Sequence, residues 1–426
     1  MKNIHIISGG TRFYVAPHFA TSAPAMGATG WKLLELCKKA FSEEEDTSVN
    51  LHLTKMAGGD HNLDTNFHVK RLVDELVFDK NTQVVFFPVA MIDHEMIIHG
   101  MEQNLSENSG EKHNPRYLER LSSQKEYKVS LVPADKVIGN IRKERKDIFL
   151  IGFKETCNFT EDQQYLAGLN LCKKNHVNLV FANDTGNGRC MVITPEEARY
   201  YVTTDRNKAL EGLVDLVKHR HGLDYPKSEV VEGKHVDWNS ELIPNSLRTV
   251  VNYCVANNAY KPFNGVTTGH FAVKLSDKEF LTSRRRTNFN DIAKLGLVKI
   301  ESVNDQLVKA YGSKPSVGGQ SQRIIFEQHP DMDCVIHFHA PLRDLDDPDI
   351  PQVPQYKVEC GSQQCGRQTS EGLKKIGNLM VVYLQEHGPN IVFNRNINPQ
   401  EVIDFIHQKF DLTKKTGGLV ELKGSD

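Results

Sequence analysis

The stretch CVIHFHAP, residues 334–341, decides how the second half of the chain is interpreted. Two histidines alternate with apolar residues and a proline closes the run, which is typical of a β-strand. Side chains two positions apart on a strand point to the same face, so we expect His337 and His339 to share a face and Phe338 to point to the other. Such a pair can be part of a metal site, or two ordinary strand histidines bonded to backbone or water.

A third histidine lies at the end of another apolar run, VVYLQEHGPN at 381–390, where Gly388 follows His387 and allows a sharp turn. Catalytic zinc usually takes three protein ligands and keeps one position open, with imidazole nitrogens at about 2.0–2.1 Å. If His337 and His339 bind Zn²⁺ or another divalent metal, His387 is the candidate for the third ligand.

The segment PDMDCVIHFHAP, residues 330–341, together with YLQEHG at 383–388, resembles the class II aldolase/adducin family. The resemblance covers about residues 244–412 and implies a class II aldolase-like α/β/α domain whose three histidines bind the ion. Members include aldolases, pentulose-phosphate epimerases, decarboxylases and a dehydratase, and also adducin, which is not catalytic. In the enzymes the ion acts as a Lewis acid that stabilises an enediolate.

The same resemblance implies an anion-binding turn for a phosphate or carboxylate of the substrate, within NGVTTGHFAVKL at 264–275 and the following FLTS. The residues assigned to this turn are Thr268, Gly269, His270, Ser283 and Arg284. The family has SGN where this chain has Thr268-Gly269-His270. Arg284, Arg285 and Arg286 suit an anion, although three like charges are also typical of a solvated loop.

The family's acid–base glutamate is expected about 19 residues before the first metal histidine, where this chain has Gly318, Gly319 and Gln320. Glutamine cannot exchange a proton as a carboxylate does. We therefore name Gln320 and Glu327 as candidates for the catalytic position, with Asp331 as a further carboxylate that could replace the missing glutamate.

The first half, up to about residue 220, alternates short β-rich runs with amphipathic segments. Runs such as NIHIIS and IFLIGF are continuously apolar, and segments such as NFHVKRLVDELVF have helical spacing. This alternation predicts a parallel sheet covered by helices on both faces, hence an α/β fold. The strand NIHIIS leads directly into Gly9-Gly10-Thr11-Arg12, where backbone N–H groups could reach an anion at the edge of the sheet.

The blocks SGGTR, ATSAPAMG, FFPVAMIDHE, LIGFKET and LVFANDTGNG occur in an order that resembles the phosphopantothenate–cysteine ligase family. The resemblance covers roughly residues 1–220 and implies a Rossmann-like sheet that binds a nucleotide, CTP with Mg²⁺. The nucleotide-binding residues that it implies are Gly9, Gly10, Thr11, Arg12, Asp93, Phe153, Asn183 and Asp184. The family's catalytic asparagine is Ala20 here, its glycine-lysine pair is Pro24-Ala25, and its lysine-rich segment has only Lys125 nearby. Asp93 and Asn183 can also be ordinary N-cap or turn residues.

Composition excludes several classes of protein. The 426 residues are 39% hydrophobic and 25% charged with a formal net charge of −2, which suits a globular protein and not a binder of nucleic-acid polymers. No apolar run approaches the roughly 20 residues that cross a bilayer, and the N-terminus carries no signal-peptide pattern. Eight scattered cysteines without a CxxC pair predict reduced thiols. We therefore expect a cytoplasmic protein with a small-molecule substrate and no membrane partner.

The predicted organisation is a nucleotide-binding domain at 1–222, a linker at 223–243 and a metal-binding domain at 244–426. Within the second domain we expect helices at 245–260, 302–312 and 320–330, among strands such as 270–275 and 378–388. The polar stretch 103–116 predicts a mobile loop. Both family resemblances imply a homo-oligomer.

Three hypotheses follow. The first is a two-module enzyme, a metal-dependent lyase or isomerase for a small, anionic, hydroxylated substrate fused to a ligase-like nucleotide-binding domain. The second is a nucleotide-dependent carboxylate–amine ligase with a structural aldolase-like part. The third is a non-catalytic assembly protein, as adducin is.

Overall fold

The structure is a computed structural model that describes residues 2–102, 116–117, 119–316 and 319–416, with the backbone alone for Gly319 and Gln320. Most of the predicted loop at 103–116 lies outside the described residues. The chain divides into two compact units: unit 1 is Met1–Pro195 with Tyr200–His221, and unit 2 is Glu196–Arg199 with Gly222–Asp426. The four residues Glu196–Arg199 therefore belong to unit 2 although unit 1 surrounds them in sequence.

The elements of unit 1 alternate as the sequence predicts. Its strands are β1 Lys2–Gly10, β2 Arg12–Ala16, β3 Phe19–Ser22, β4 Thr47–Leu53, β5 Thr82–Phe87, β6 Val89–Ala90, β7 His94–Ile98, β8 Val129–Pro133, β9 Phe149–Thr156, β10 Leu179–Asp184, β11 Cys190–Ile193 and β12 Arg199–Thr203. Its helices are α1 Ala28–Ala40, α2 Asn66–Phe78, α3 Ile138–Glu144, α4 Glu161–Asn175 and α5 Arg206–Arg220, with a 3₁₀ turn at Lys55–Ala57.

The main sheet of unit 1 has the order β12-β11-β10-β9-β5-β1-β4, with β6 beside the end of β1. Strands β4, β1, β5, β9 and β10 are parallel to one another. Among these five strands the spatial order is 2-1-3-4-5 in chain sequence, so the direction of winding reverses between β1 and β5. The predicted α/β class with a parallel-rich sheet is confirmed. One strand differs, because CMVIT forms β11 and runs antiparallel to β10.

Helix ends in unit 1 follow from local sequence. Thr65 caps α2 and Thr160 caps α4, each accepting a hydrogen bond from the backbone N–H three residues on. Asp205 caps α5 by accepting from Asn207 N and Lys208 N. These caps satisfy backbone N–H groups that have no partner within the helix, and they define where each helix begins.

Unit 2 mixes strands and helices. Its strands are β13 Lys227–Val231, β14 Pro262–Phe263, β15 Val266–Thr267, β16 His270–Lys274, β17 Glu279–Thr282, β18 Val298–Asn304, β19 Leu307–Tyr311, β20 Cys334–His337, β21 Gln352–Val353, β22 Lys374–Ile376, β23 Leu379–Leu384 and β24 Gly388–Phe393. Its helices are α6 Asn245–Ala256, α7 Ile292–Leu295, α8 Gly319–Gln328, α9 Gln363–Gly372 and α10 Pro399–Lys409, with a 3₁₀ turn at Phe289–Asp291.

The sheet of unit 2 runs β13-β19-β18-β17-β16-β20-β24-β23-β21, mostly antiparallel, and separates two apolar cores. Alternate strand residues face opposite cores: Cys334 and Ile336 join the core with α6 and α10, whereas Val335 joins the core with α8. Two helical layers over one sheet give the α/β/α arrangement that the sequence predicts.

Two parts of unit 2 differ from the sequence-based expectation. Residues 302–312, predicted as a helix, belong to the antiparallel hairpin β18–β19, in which Val308 and Ala310 are buried and alternate with half-buried neighbours. The period is therefore two and not 3.6, and the Asn304 side chain closes the turn by accepting from Gln306 N at 2.9 Å. The stretch 223–243, suggested as a linker, contains β13, which pairs in parallel with β19.

Candidate metal centre

The sheet brings the three sequence-predicted histidines of unit 2 together. His337 is the last residue of β20 and pairs with His270 of β16 on one side and with Asn390 of β24 on the other. His387 occupies the turn between β23 and β24, and His339 follows the end of β20 by two residues. All three imidazoles are buried, and one nitrogen of each lies within 4.8 Å of the other two.

Two glycines allow the backbone to close around these histidines. Gly269 has φ +105°, and a Cβ there would lie 2.5 Å from the carbonyl oxygen of His337. Gly388 has φ +134°, and a Cβ there would lie 2.2 Å from the carbonyl oxygen of Phe338. Both positions exclude a side chain by contact and by backbone conformation. The glycine after His387 is therefore needed for the close approach of the turn to the histidine strand.

Hydrogen bonding fixes which nitrogen of His337 is available. Its Nδ1 lies 2.8 Å from the carbonyl oxygen of Pro389, which can only accept, so Nδ1 carries the proton and Nε2 a lone pair. That Nε2 lies 3.3 Å from Nε2 of His387. Two nitrogens bound at 2.0–2.1 Å to one tetrahedral ion are about 3.3–3.4 Å apart. The donor set and its spacing therefore fit a divalent metal such as zinc.

The protonation states suit metal binding. Burial lowers the pKa of His337 well below its ordinary value, and the neighbouring His387, His270 and His339 lower it further. Burial, together with His339, lowers the pKa of His270 to about 3. Neutral imidazole is the form that binds a metal, so these rings do not need to lose a proton near neutral pH.

Several residues around the histidines were not found from the sequence. Gln322 of α8 donates from Nε2 to Nδ1 of His270 at 2.7 Å. Thr416 donates from its backbone N to the carbonyl oxygen of His339 at 3.3 Å and from its hydroxyl to that of His387 at 3.0 Å. Glu197 and Lys415 form a buried ion pair at 2.6 Å, with Glu197 Oε2 at 3.4 Å from His339 Nδ1. Neither spacing nor periodicity connects these positions to the histidines, so no sequence pattern could have identified them.

The predicted anion-binding residues fall into two groups. Thr268, Gly269 and His270 lie beside the histidines: the Thr268 hydroxyl is 3.4 Å from Glu197 Oε2, and the His270 and His337 ring centroids are 5.0 Å apart. Ser283 is fully buried with its hydroxyl 2.7 Å from that of Ser316, and Arg284 donates to the carbonyl oxygen of Leu295 at 3.1 Å. The latter two side chains thus bond to other segments of unit 2, at Ser316 and Leu295.

The two acid–base candidates are on α8. The side chain of Gln320 lies outside the described residues. Glu327 accepts from Arg323 Nη1 at 2.6 and 2.7 Å, and its side chain is 45% exposed, unlike the buried histidines. On the same helix, Gln322 contacts His270, the residue that pairs with His337 across the sheet.

In unit 1 the predicted glycine turn lies where the winding of the sheet reverses. Gly9 and Gly10 end β1 and pair with β6. A Cβ on Gly10 would lie 1.9 Å from the carbonyl oxygen of Ala23, so packing alone requires glycine there. The buried Thr11 hydroxyl donates to Asn66 Oδ1 at 2.7 Å and accepts from Ile92 N at 3.0 Å. The Arg12 guanidinium lies 3.5 Å from the Asp64 carboxylate.

The other predicted nucleotide-binding residues are on or after the neighbouring strands. Asp93 is exposed and pairs with Lys136, Phe153 lies on β9 with its ring centroid 5.5 Å from that of Phe181, and Asn183 lies on β10. A cavity of about 510 Å³ between α1, β4 and α2 is lined by none of the eight predicted nucleotide-binding residues.

Asp184 is buried and organises two loops. Burial raises the pKa of its carboxyl, but hydrogen bonds from Phe159 N, the Thr156 hydroxyl, Asn187 N and Asn158 N outweigh burial and hold that pKa below its ordinary value. The oxygens of the carboxylate accept these bonds at 2.8–3.0 Å. N–H and hydroxyl groups of the chain itself thus donate to both oxygens of this carboxylate. Ordering loops in this way is a role that a turn residue fulfils without any ligand.

One family model matches part of the chain. Residues 251–343 match the Class II Aldolase and Adducin N-terminal domain, which confirms the predicted resemblance over that segment. No curated protein matches the chain. Within the described residues, no helix is long and apolar enough to cross a membrane.

Several solved structures are similar to parts of the chain. The DNA/pantothenate metabolism flavoprotein from Streptococcus pneumoniae is 21% identical, with 51% of this chain and 96% of that chain covered and a TM-score of 0.39. The C-terminal domain of the coenzyme A biosynthesis bifunctional protein CoaBC is 14% identical, with 51% and 94% covered and a TM-score of 0.35. An L-fuculose 1-phosphate aldolase is 13% identical, with 39% and 82% covered and a TM-score of 0.30.

Proposed function

We propose that unit 2 is a divalent-metal-dependent lyase or isomerase of the class II aldolase type, acting on a small, anionic, hydroxylated substrate. The observation that carries the proposal is the spacing of His337 Nε2 and His387 Nε2, 3.3 Å apart with the His337 tautomer fixed by Pro389. His337, His339 and His387 would hold Zn²⁺ or a related ion. When bound, the ion would polarise a carbonyl or a hydroxyl pair and stabilise the enediolate that C–C cleavage or proton removal leaves.

The chain's own residues would complete the site. Thr268, Gly269 and His270 lie next to the histidines and would contact the substrate's anionic group. We retain Gln320 and Glu327 as the proposed acid–base positions; Glu327 would have to leave Arg323 before it could accept a proton. Ser283 and Arg284 would support the turn through Ser316 and Leu295.

Metal analysis of the purified full-length protein tests this proposal. We expect about one divalent ion per chain after growth with added zinc, manganese or cobalt, and its loss in His337→Ala. The matched control is His407→Ala, which removes an exposed histidine of α10 in the same unit. Lack of any stoichiometric ion in the unaltered protein would contradict the proposal and favour an adducin-like assembly role.

Substrate class can be tested with the metal-loaded protein. Phosphorylated and carboxylated sugars would be screened by NMR for cleavage products or for exchange at a carbon-bound proton. We expect turnover that His337→Ala abolishes. Glu327→Gln should also slow turnover if Glu327 transfers the proton, whereas unaltered turnover would remove it from the mechanism.

We further propose that unit 1 binds a nucleotide, with CTP and Mg²⁺ the first to test. Gly9 and Gly10 lie at the reversal between β1 and β5, the position where sheets of this strand order usually bind ligands. Calorimetry with CTP should show binding, and pyrophosphate release with 4′-phosphopantothenate and cysteine should be weak or absent. Rapid pyrophosphate release would instead favour a carboxylate–amine ligase.

A further inference from the structure

A buried carboxylate lies beside the histidines although it comes from a distant part of the chain. Glu197 belongs to the segment Glu196–Arg199 of unit 2 and is fully buried. Its Oε2 is 2.6 Å from Lys415 Nζ, 3.4 Å from His339 Nδ1 and 3.4 Å from the Thr268 hydroxyl. Lys415 is itself only 2% exposed.

The arrangement of ring nitrogens suggests what this carboxylate does. His337 directs Nδ1 to a backbone carbonyl and Nε2 to His387. His339 likewise has its Nδ1 next to an acceptor, the Glu197 carboxylate. A metal-bound histidine usually donates its second ring N–H to a carboxylate or carbonyl, which fixes the tautomer and the ring orientation. The 3.4 Å separation is longer than the usual N–H···O distance of about 2.9 Å.

The backbone and charge of Glu197 also need an explanation. Its φ is +73°, a conformation that non-glycine residues rarely adopt and that concentrates at functional sites. A buried ion pair is on its own weak evidence for stability, because desolvating two charges offsets most of their attraction. A strained backbone and two buried charges at one position therefore indicate a role beyond packing.

The geometry points to Glu197 as the positioning residue of the metal ligand His339, with Lys415 as its counter-ion. The inference rests on the proposed metal site. Glu197 next to Nδ1 would leave Nε2 of His339 as the nitrogen available to the ion, and Lys415 would hold the carboxylate in place. The proposed metal centre is thus assembled from four separate stretches, around Glu197, around His337 and His339, around His387 and around Lys415.

The test is Co²⁺ affinity, measured by competition with a chromophoric chelator, together with the visible spectrum of bound Co²⁺. Glu197→Gln alone would leave Lys415 buried without its partner and could unfold the protein, so the main variant combines Glu197→Gln with Lys415→Met. This double variant leaves the net charge unchanged, so a general change in attraction for the cation cannot account for a weaker affinity. The matched control is Glu196→Gln, which removes the neighbouring buried carboxylate that accepts from Cys360 N at 2.6 Å.

We expect the double variant to bind Co²⁺ about 10–100-fold more weakly, with an altered spectrum and an unchanged melting temperature of the metal-free protein. The control should keep both affinity and spectrum. In a His339→Asn background the same pair of changes should have no further effect, because the carboxylate acts through that ring.

Three results would overturn the inference. Equal affinity and spectrum in the double variant would remove Glu197 from the metal site. A full loss of affinity that persists in the His339→Asn background would make Glu197 a direct ligand. Lack of Co²⁺ binding by the unaltered protein would refute the proposed function along with this inference, whereas the first two results leave the proposed function intact.

Discussion

Replacing Gly388 by alanine should damage both the stability of unit 2 and its metal site. The new Cβ would lie 2.2 Å from the carbonyl oxygen of Phe338 and 3.3 Å from His339 Cα, at φ +134°. Backbone strain of this kind costs about 1–3 kcal/mol, and forcing atoms into a filled space costs about 1–3 kcal/mol more. The expected loss in the free energy of unfolding is therefore about 2–6 kcal/mol.

Gly377→Ala is the matched control. Gly377 also has a positive φ, +59°, but the nearest atom to its added Cβ would be Glu401 Oε1 at 3.9 Å. Only the cost of a left-handed backbone applies there, about 1–2 kcal/mol. For a unit of about 200 residues each kcal/mol lowers the unfolding midpoint by roughly 2–4 °C. Calorimetry of the metal-free proteins should therefore place Gly388→Ala below Gly377→Ala.

Metal affinity provides the second measurement. In sequence, Phe338 lies between His337 and His339, and Gly388 follows His387. A shift of the Phe338 carbonyl therefore moves the proposed ligands themselves. We expect Gly388→Ala to bind Co²⁺ at least about tenfold more weakly, as outer-shell changes do, and Gly377→Ala to bind normally. Equal midpoints and equal affinities in the two variants would show that the turn does not press on the histidine strand, and would refute the reasoning.

Three further predictions concern removal of the metal, pH and loop order. Chelating the ion should lower the unfolding midpoint of unit 2 in calorimetry, since a ligand at 1,000 times its Kd stabilises by about 4.1 kcal/mol; an unchanged midpoint would exclude a specific site. Burial, and then His52, lower the pKa of His5 from 6.5 to about 4. Below pH 6.5 the unfolded chain therefore binds a proton that the folded chain does not, and the free energy of unfolding should fall by up to about 1.4 kcal/mol per pH unit down to about pH 4. His5→Leu should make this slope shallower in urea titrations, while the contributions of His270 and His337 remain, and an unaltered slope would contradict the assignment. Asp184→Asn should speed amide exchange at Asn158, Phe159 and Asn187, whose N–H groups donate hydrogen bonds to the carboxylate. Unchanged exchange at these amides would argue against a loop-ordering role for Asp184.

Local sequence was sufficient for much of the fold. The 2- and 3.6-residue periods gave the parallel strands of unit 1 and most helices, because each element buries one face or stripe of its own residues. Local sequence was insufficient for residues 302–312. Over so short a run, Leu307, Val308 and Ala310 fit both the two-residue period of a strand and the 3.6-residue period of a helix. The tight turn at Asn304 was the local feature that distinguishes the hairpin.

The candidate site shows a similar division. His337, His339 and His387 could be proposed because each lies at a strand end in a recognisable run, and the structure brings them together. Glu197 and Lys415 could not be proposed from the sequence. Charged residues are normally exposed to solvent, and only the folded chain shows that these two are buried. Gln322 was missed because the helical period of α8 does not show which of its polar side chains contacts another element.

The assignment of Glu196–Arg199 to unit 2 has a practical consequence for dividing the molecule. A single break in the chain cannot yield both units whole. Expressing residues 222 onward would leave Lys415 without the carboxylate that it contacts, and expressing residues up to 221 would carry that carboxylate away from the histidines. The aldolase-like part is therefore best studied in the full chain, or in a variant in which a linker joins the short peptide around Glu197 to residues 222 onward.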